Sequence, residues 1–380
     1  MRKPGSRCFA SVSLAAMAAM LAVVAAQGQA PAPQAASAPA PKKAQDVFKN
    51  LMVLDDVPAD QIFPTMQFIA ASLGVECDHC HVEGAFDKDD KEAKVTARKM
   101  MQMMLAIDKD NFKGKTVVTC FTCHRGSLEP VGTPIIAENE APPEPPKPEA
   151  AANSLPSADD LIAKYVQALG GKDAIDKISS RVITGKMTTM GRSFPIDIFA
   201  KAPDKRISIA HMDAGEIITA YNGPMGGWLG NPGRPARPMS AAENEGARLD
   251  ADLHFATDLK NTFAKFTVRP AEKVGDRDAW LVLGMREDLP PVRLYFDKES
   301  GLLIRLVRYV QTPLGRNPVQ IDFADYRDAA GVKVAYRWTI ARPSGRFTIQ
   351  ADKVQENVPV DDAKFAMPPP PPPRPEEKKP

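Results

Sequence analysis

Two short stretches carry residue types that can do chemistry together. In "GVECDHCHVEGAF", Cys77 and Cys80 stand three apart and His81 follows at once. In "VVTCFTCHRGS", Cys120, Cys123 and His124 repeat the arrangement. Two thiols at this spacing can add to the two vinyl groups of one porphyrin, because a tight turn spans the porphyrin edge. The next residue then lies under the iron, where an imidazole can serve as the proximal ligand. A redox disulfide or a four-cysteine zinc site would use the same residues. Zinc ribbons keep their pairs closer than these two are. A thioredoxin-like motif expects a strand before it, and here a helix precedes each one. Only 5 histidines occur in 380 residues, and each CxxC pair is followed by one. The expectation is two covalently bound c-type haems.

Each iron then needs a sixth ligand or keeps an open face. Thioether sulfur suits iron(II) and raises the potential relative to a second histidine. Met66 lies on the helix before the first motif, and Met100 on the helix before the second. Spacing alone leaves these assignments open, since methionines at helical spacing also fill cores, as most of Met100, Met101, Met103 and Met104 should. Among other histidines, His79 sits inside the first motif, facing solvent or a propionate, while His211 and His254 read as ordinary polar positions. Arg125, next to His124, reads equally as a propionate partner and as a surface arginine.

The elements that hold these residues follow from local signals. "DQIFPTMQFIAASLG" has apolar residues at helical spacing, with Pro64 in its first turn and Gly74 just past its end. "KVTARKMMQMMLAIDKDNF" is a second helix. Helix, turn and CxxCH are thus used twice. Upstream, Arg2, Lys3 and Arg7 precede an apolar run and small residues, so residues 1–30 read as a signal peptide and the protein as periplasmic. If the signal stayed uncleaved, it would anchor the chain to a membrane. Removal of Cys8 leaves a mature chain whose four cysteines all belong to the two motifs.

Thirty-six prolines mark the linkers. Residues 31–44 and 139–156 are Ala/Pro-rich tethers, and 368–380 is a disordered tail. Between them lie a mainly α domain at 45–138 and a second domain at 157–367. The second opens with a helix, "SADDLIAKYVQALGG", capped by Ser157 and stopped by Gly170 and Gly171. Many alternating strand-like runs follow, as in an antiparallel sheet with one buried face. "SAAENEGARLDADLHFATDLK" reads as a helical insertion. "GPMGGWLGNPGRPARPM" reads as a flexible loop, since it lacks the Lys-Ser/Thr ending of a phosphate loop. The fold class is multidomain: a small mainly α cytochrome domain, then an α+β domain with a curved antiparallel half-barrel.

The first domain resembles a known family. "PTMQFIAASLGVECDHCHVEGAF…ARKMMQMM…VVTCFTCHRG" is similar to the haem-binding half of the cytochrome subunit of photosynthetic reaction centres and to its diheme relatives. The resemblance implies that each haem is carried by a helix, a turn and a CxxCH, with the helix giving a methionine to the iron. It thereby implies Met66 and Met100 as axial ligands opposite His81 and His124. The photosynthetic subunit has four haems, and two motifs occur here, so docking to a reaction centre is not implied. The second domain more weakly resembles the lipoprotein-carrier fold, through "LIAKYVQALGGKDAIDKI", "KAPDKRI" and the long meander. That likeness implies an apolar ligand in its concave face, or a scaffold with none.

Saturated His/Met irons imply electron transfer between redox partner proteins rather than catalysis. The rivals are a peroxidase-like diheme enzyme, which needs an open iron, and a lipid- or quinone-binding protein with a cytochrome module. The whole chain has 49 Lys+Arg against 47 Asp+Glu, so nothing global points to nucleic acid. Residues 45–135 carry an acidic excess, which suits a weak, salt-sensitive docking site for a basic or mixed-charge partner.

Overall fold

The computed structural model describes residues 42–130, Gly132 and 155–369. The signal peptide, most of the first tether, most of the Pro-rich segment 139–156 and the tail beyond residue 369 lie outside the described residues. The described residues belong to one compact unit. Within it, a helical segment comes first and a 13-stranded antiparallel sheet follows. Among the described residues no helix is long and apolar enough to cross a membrane.

The helical segment has three helices: α1 (Ile62–Leu73), α2 (Glu92–Phe112) and α3 (Cys120–His124). The reasons for α1's ends are those its sequence suggests. Pro64 lies in the first turn, where a missing N–H costs nothing. Gly74 takes the left-handed cap at φ 68°. No side chain fits at Gly74 in any case, because a Cβ would come within 2.2 Å of the Gly126 carbonyl oxygen. Ala44, at the end of the range read as a tether, is fully buried against this segment.

In the sheet segment, α4 (Ala158–Leu169) starts at Ser157, whose Oγ accepts from the Asp160 N–H at 3.1 Å. A short helix, α5 (Lys172–Ile175), follows. The strands are β1 (Ser180–Thr189), β2 (Arg192–Lys201), β3 (Lys205–Met212), β4 (Gly215–Asn222), β5 (Gly227–Asn231) and β6 (Arg234–Pro238). After them come α6 (Ala241–Ala251) and α7 (Phe255–Thr262). The second set is β7 (Lys265–Val274), β8 (Arg277–Arg286), β9 (Leu289–Asp297), β10 (Leu303–Thr312), β11 (Gly315–Ala329), β12 (Val332–Arg342) and β13 (Gly345–Glu356).

The strand order is β6-β5-β4-β3-β2-β1-β13-β12-β11-β10-β9-β8-β7. The chain enters at the middle of the sheet, meanders to one edge, crosses to the other edge through α6 and α7, and meanders back until β13 pairs with β1. The sheet is open, since β6 and β7 are its two edges. The crossing helices and α4 cover one face. Leu161, Ile162 and Tyr165 of α4 and Leu259 of α7 join Val282, Leu294, Phe296 and Ile321 of the sheet in the main core. Two local expectations need correction. The stretch read as a flexible loop, residues 223–239, contains the β5–β6 hairpin: Pro235 and Pro238 lie on the edge strand β6, where proline is tolerated, and Gly227 and Gly230 lie within β5. The helical insertion is two helices, broken at residues 252–254, where Asp252 leaves helical geometry.

The two segments meet through the β10–β11 hairpin. Its tip residue Leu314 is fully buried in the core of the helical segment, with Leu54, Ile62, Phe68, Ile69, Met101 and Met104. The Phe68 ring lies so close to Gly315 that a Cβ there would fall 2.3 Å from the ring. Asn317 Nδ2 donates to the Pro64 carbonyl at 2.9 Å, tying β11 to the first turn of α1.

Leu314→Ala should cost about 2–5 kcal/mol of stability. Because the cavity opens under α1, amide exchange should accelerate in residues 62–73 and stay unchanged in β1 and β13. Between α6 and α7, burial and the nearby Asp258 and Asp204 push the Asp252 carboxyl up to about 6. The folded state then holds a proton that the unfolded state releases near pH 4, so this group makes the fold less stable as pH rises from about 4 to about 6. Asp252→Asn should therefore stabilise at pH 7 relative to wild type, with the gain shrinking towards pH 4 in denaturant titrations.

Candidate functional site

Both CxxCH units are single helical turns. In the first, Cys77–His79 is 3-10 helix, and the His81 N–H donates to the Cys77 carbonyl at 3.0 Å. In the second, Cys120–His124 is α3 itself, started by Thr122 Oγ1 accepting from the Thr119 N–H at 2.9 Å. One turn puts the first Cys, the second Cys and the His on one face, at positions i, i+3 and i+4. None of these four cysteines is paired in a disulfide. Among the described residues no three His, Cys, Asp or Glu side chains converge as a metal cluster, so the four thiols do not form one tetrahedral set.

The two histidines are held alike. His81 Nδ1 lies 3.1 Å from the Phe86 carbonyl oxygen, and His124 Nδ1 lies 3.1 Å from the Ser127 carbonyl oxygen. A carbonyl only accepts, so each Nδ1 carries the proton and each Nε2 keeps its lone pair for a ligand. Partial burial lowers the His81 pKa, the Phe86 bond opposes this, and Lys94, Arg98 and Lys91 add to the lowering. The neutral, ligand-competent imidazole is therefore the favoured form.

Different scaffolding surrounds each motif. The loop after His81 is pinned by charge. Asp89 accepts from Arg98 at 2.9 Å, Lys94 at 3.1 Å and Asn50 at 2.9 Å, and these donors hold its carboxyl well below the usual range. Lys94 also donates to the Phe86 carbonyl at 2.9 Å, so the acceptor of His81 is itself fixed. Lys91 reaches back to the Asp78 carbonyl inside the motif. The approach to the second motif is pinned by one buried carboxylate. Asp108, 4% exposed, accepts from the backbone N–H groups of Val117 at 3.2 Å and Val118 at 2.9 Å. The two motifs touch through α1: the Gly126 N–H donates to the Ser72 carbonyl at 2.9 Å.

Met66 is half-buried beside the small core, and Met100 is exposed on α2, next to the buried Met101 and Met104. Most large hydrophobic side chains exposed among the described residues lie in 42–130, including Phe63, Phe86, Met100, Met103, Val117, Phe121 and Leu128. This apolar surface, with same-face thiols and oriented imidazoles, fits large planar apolar groups covering it. His79 is half-buried. His211 lies in β3 between Asp197 at 2.9 Å and Glu216 at 3.2 Å, and His254 Nε2 lies 2.7 Å from the Ile178 carbonyl oxygen. Both are thus engaged inside the sheet segment. The sequence reading missed Asp108, Asp89 and Lys94. An acidic residue near the end of a helix, a few residues before a β-like run, is the only signal Asp108 offers.

Residues 2–167 match the sequence model of a family described as photosynthetic reaction centre cytochrome C subunit. The chain is similar to the photosynthetic reaction center cytochrome c subunit of Thermochromatium tepidum, 35% identical over 92 residues, covering 23% of this chain and 23% of that one. It is also similar to cytochrome c-554 of Chloroflexus aurantiacus, 32% identical over 104 residues, covering 25% of this chain and 24% of that one. The chain thus spans about a quarter of the length of the curated relatives it matches. The resemblance read from the CxxCH region is borne out. Among solved structures, a LolA superfamily protein from Nitrosomonas europaea covers 56% of this chain and 98% of its own at 12% identity and TM-score 0.39. A DUF1329 family protein from Desulfovibrio piger covers 55% and 96% at 13% identity, also at TM-score 0.39.

Asp108→Ala would leave two backbone N–H groups without their buried acceptor, at a cost of about 1–3 kcal/mol for each group left unsatisfied. Denaturant unfolding should show the loss, and amide exchange should rise at residues 114–120 while the 82–90 loop is unaffected.

Proposed function

We propose that this protein is an electron carrier with two covalently attached c-type haems. Cys77 and Cys80 hold one through thioether bonds and His81 ligates its iron. Cys120, Cys123 and His124 do the same for the other. The observation that carries this reading is the matched pair of Nδ1–carbonyl bonds, which present two Nε2 atoms beside same-face thiols. Met66 and Met100 are the proposed sixth ligands, each on the helix preceding its motif. Bound in this way, each haem supplies one-electron chemistry at iron.

This chain's residues set the conditions for that chemistry. The Phe86 and Ser127 carbonyls raise the basicity of their imidazoles and fix the ring orientation. Around the first motif, Lys94 and Arg98 are paired with Asp89 and hold the loop that follows His81, while the approach to the second is held by Asp108. The acidic excess of residues 45–135 suits transient docking to a basic or mixed-charge redox partner, in the periplasm if the leader acts as a signal.

The sheet segment acts as a scaffold in this account. The cavity between its helices and strands is about 260 Å³, lined by Leu169, Ile178, Leu306, Phe323 and Trp338 among others. That is below the usual range for an organic-ligand pocket, so an apolar ligand would have to be small or displace α4, α6 or α7.

A pyridine haemochrome assay on protein matured in a haem-loading host should give two c-type haems per chain. Both should be low-spin, with the thioether charge-transfer band in the oxidised spectrum. Met66→His and Met100→His should each lower one midpoint potential and leave the other nearly unchanged. Colourless protein, stoichiometric zinc, or a high-spin iron with an open face would refute the carrier reading; the last would favour a peroxidase-like enzyme.

A further inference from the structure

The carbonyls that orient the two histidines differ in one respect. Among the described residues, the Ser127 carbonyl oxygen accepts from His124 Nδ1–H alone. The Phe86 carbonyl oxygen is shared. It accepts from His81 Nδ1–H at 3.1 Å and from Lys94 Nζ at 2.9 Å.

Lys94 stands in a place that lysines generally avoid. It lies in the first turn of α2, where the helix dipole disfavours positive charge. Its side chain is only 11% exposed, although lysines are mostly exposed. An ammonium has three protons to give and no lone pair. Here each proton has a taker: the Phe86 carbonyl at 2.9 Å, the Lys88 carbonyl at 2.6 Å and the Asp89 carboxylate at 3.1 Å. Balancing Asp89 would not require the two carbonyls, and Arg98 already pairs with Asp89 from the same helix. The specific result of placing a lysine here is that the oxygen holding His81 is also held by a cation.

That sharing has an electronic consequence. A hydrogen bond from Nδ1–H to a carbonyl pushes electron density into the imidazole, so Nε2 becomes a stronger donor and favours the oxidised iron. A charged donor on the same oxygen draws density out of it and leaves it a weaker acceptor for the second proton. His124, whose carbonyl is unshared, keeps the full effect. We propose that Lys94 is a positioning residue that tunes the first site: by occupying the Phe86 carbonyl it weakens the pull on His81 Nδ1–H, makes that imidazole the poorer electron donor, and raises the first midpoint potential above the value it would have without the lysine. This role presupposes the haem reading above and goes beyond it, since it makes two sites with the same ligand types electronically unequal.

The test uses the full matured chain, with redox titration and NMR of the reduced, diamagnetic protein. Lys94→Met should shift the first one-electron equilibrium towards the oxidised form by about threefold or more, about 30 mV at 59 mV per tenfold, and leave the second unchanged. The His81 Nδ1–H resonance should move downfield as its bond to Phe86 strengthens, while that of His124 stays in place. A loop merely loosened by the substitution would move the His81 proton upfield instead. Lys94→Gln, which keeps an uncharged donor, should give smaller shifts in the same directions. Lys91→Met removes a cation that reaches the Asp78 carbonyl rather than that of Phe86. It should shift the first potential less than half as far and leave the His81 proton in place. A His81 proton that stays put or moves upfield in Lys94→Met, or an equally large effect of Lys91→Met, would overturn the role of Lys94 and leave the haem reading standing. Wild-type protein without two haems would sink the haem reading, and this role with it.

Discussion

The helical segment cannot fill its own core. Its buried apolar residues are few, and one of them, Leu314, is contributed by a hairpin of the sheet. A segment this small, with much of its apolar surface turned outward, is near the limit at which burial can offset the entropy of ordering a chain. The hairpin supplies a completely buried leucine, a glycine against which Phe68 can lie, and an amide that caps off the Pro64 carbonyl. The helix that precedes the first CxxCH is therefore positioned by residues about 250 positions further along the chain. Everything that depends on α1, including the contact between the two motifs through Ser72 and Gly126, depends on that joint.

The two CxxCH turns reach the same geometry by different local means. One is a 3-10 turn followed by a loop held in a net of lysine, arginine and asparagine contacts to Asp89. The other is a short α-helix approached through a backbone segment hung on Asp108. In both, a backbone carbonyl three to five residues downstream accepts a hydrogen bond from the histidine's Nδ1–H. This is the economical way to orient an imidazole, since a carbonyl has no alternative protonation state and its place is set by the chain itself. The surrounding charges then differ freely without disturbing the orientation.

Much of this was legible in the sequence because it is local. Pro64 and Gly74 bracket α1, Ser157 starts α4, and alternation marks most strands. The paired CxxCH motifs needed only spacing. What escaped was non-local or masked by composition. Nothing in the sequence around Leu314 says that it belongs to a helical core, since a Pro-Leu-Gly tip reads as an ordinary turn. Residues 223–239 read as a loop because Gly and Pro dominate them, yet an edge hairpin accepts both. Asp89, Lys94 and Asp108 are unremarkable charges until the fold brings the 82–90 loop onto α2 and the 114–119 strand-like run onto its end. The strand order itself, with β1 beside β13, cannot be read from alternation, which says which face is buried and not which strand is the neighbour.

The position of Leu314 has a consequence for how the chain comes into being. A polypeptide is made from its N-terminus, and early segments begin to order before late ones exist. The stretch bearing all four described thiols emerges while the plug for its hydrophobic interior is still unsynthesised. Until the hairpin arrives, the stretch lacks the leucine that completes its interior, and its packing is finished only once the sheet has been made as far as residue 314.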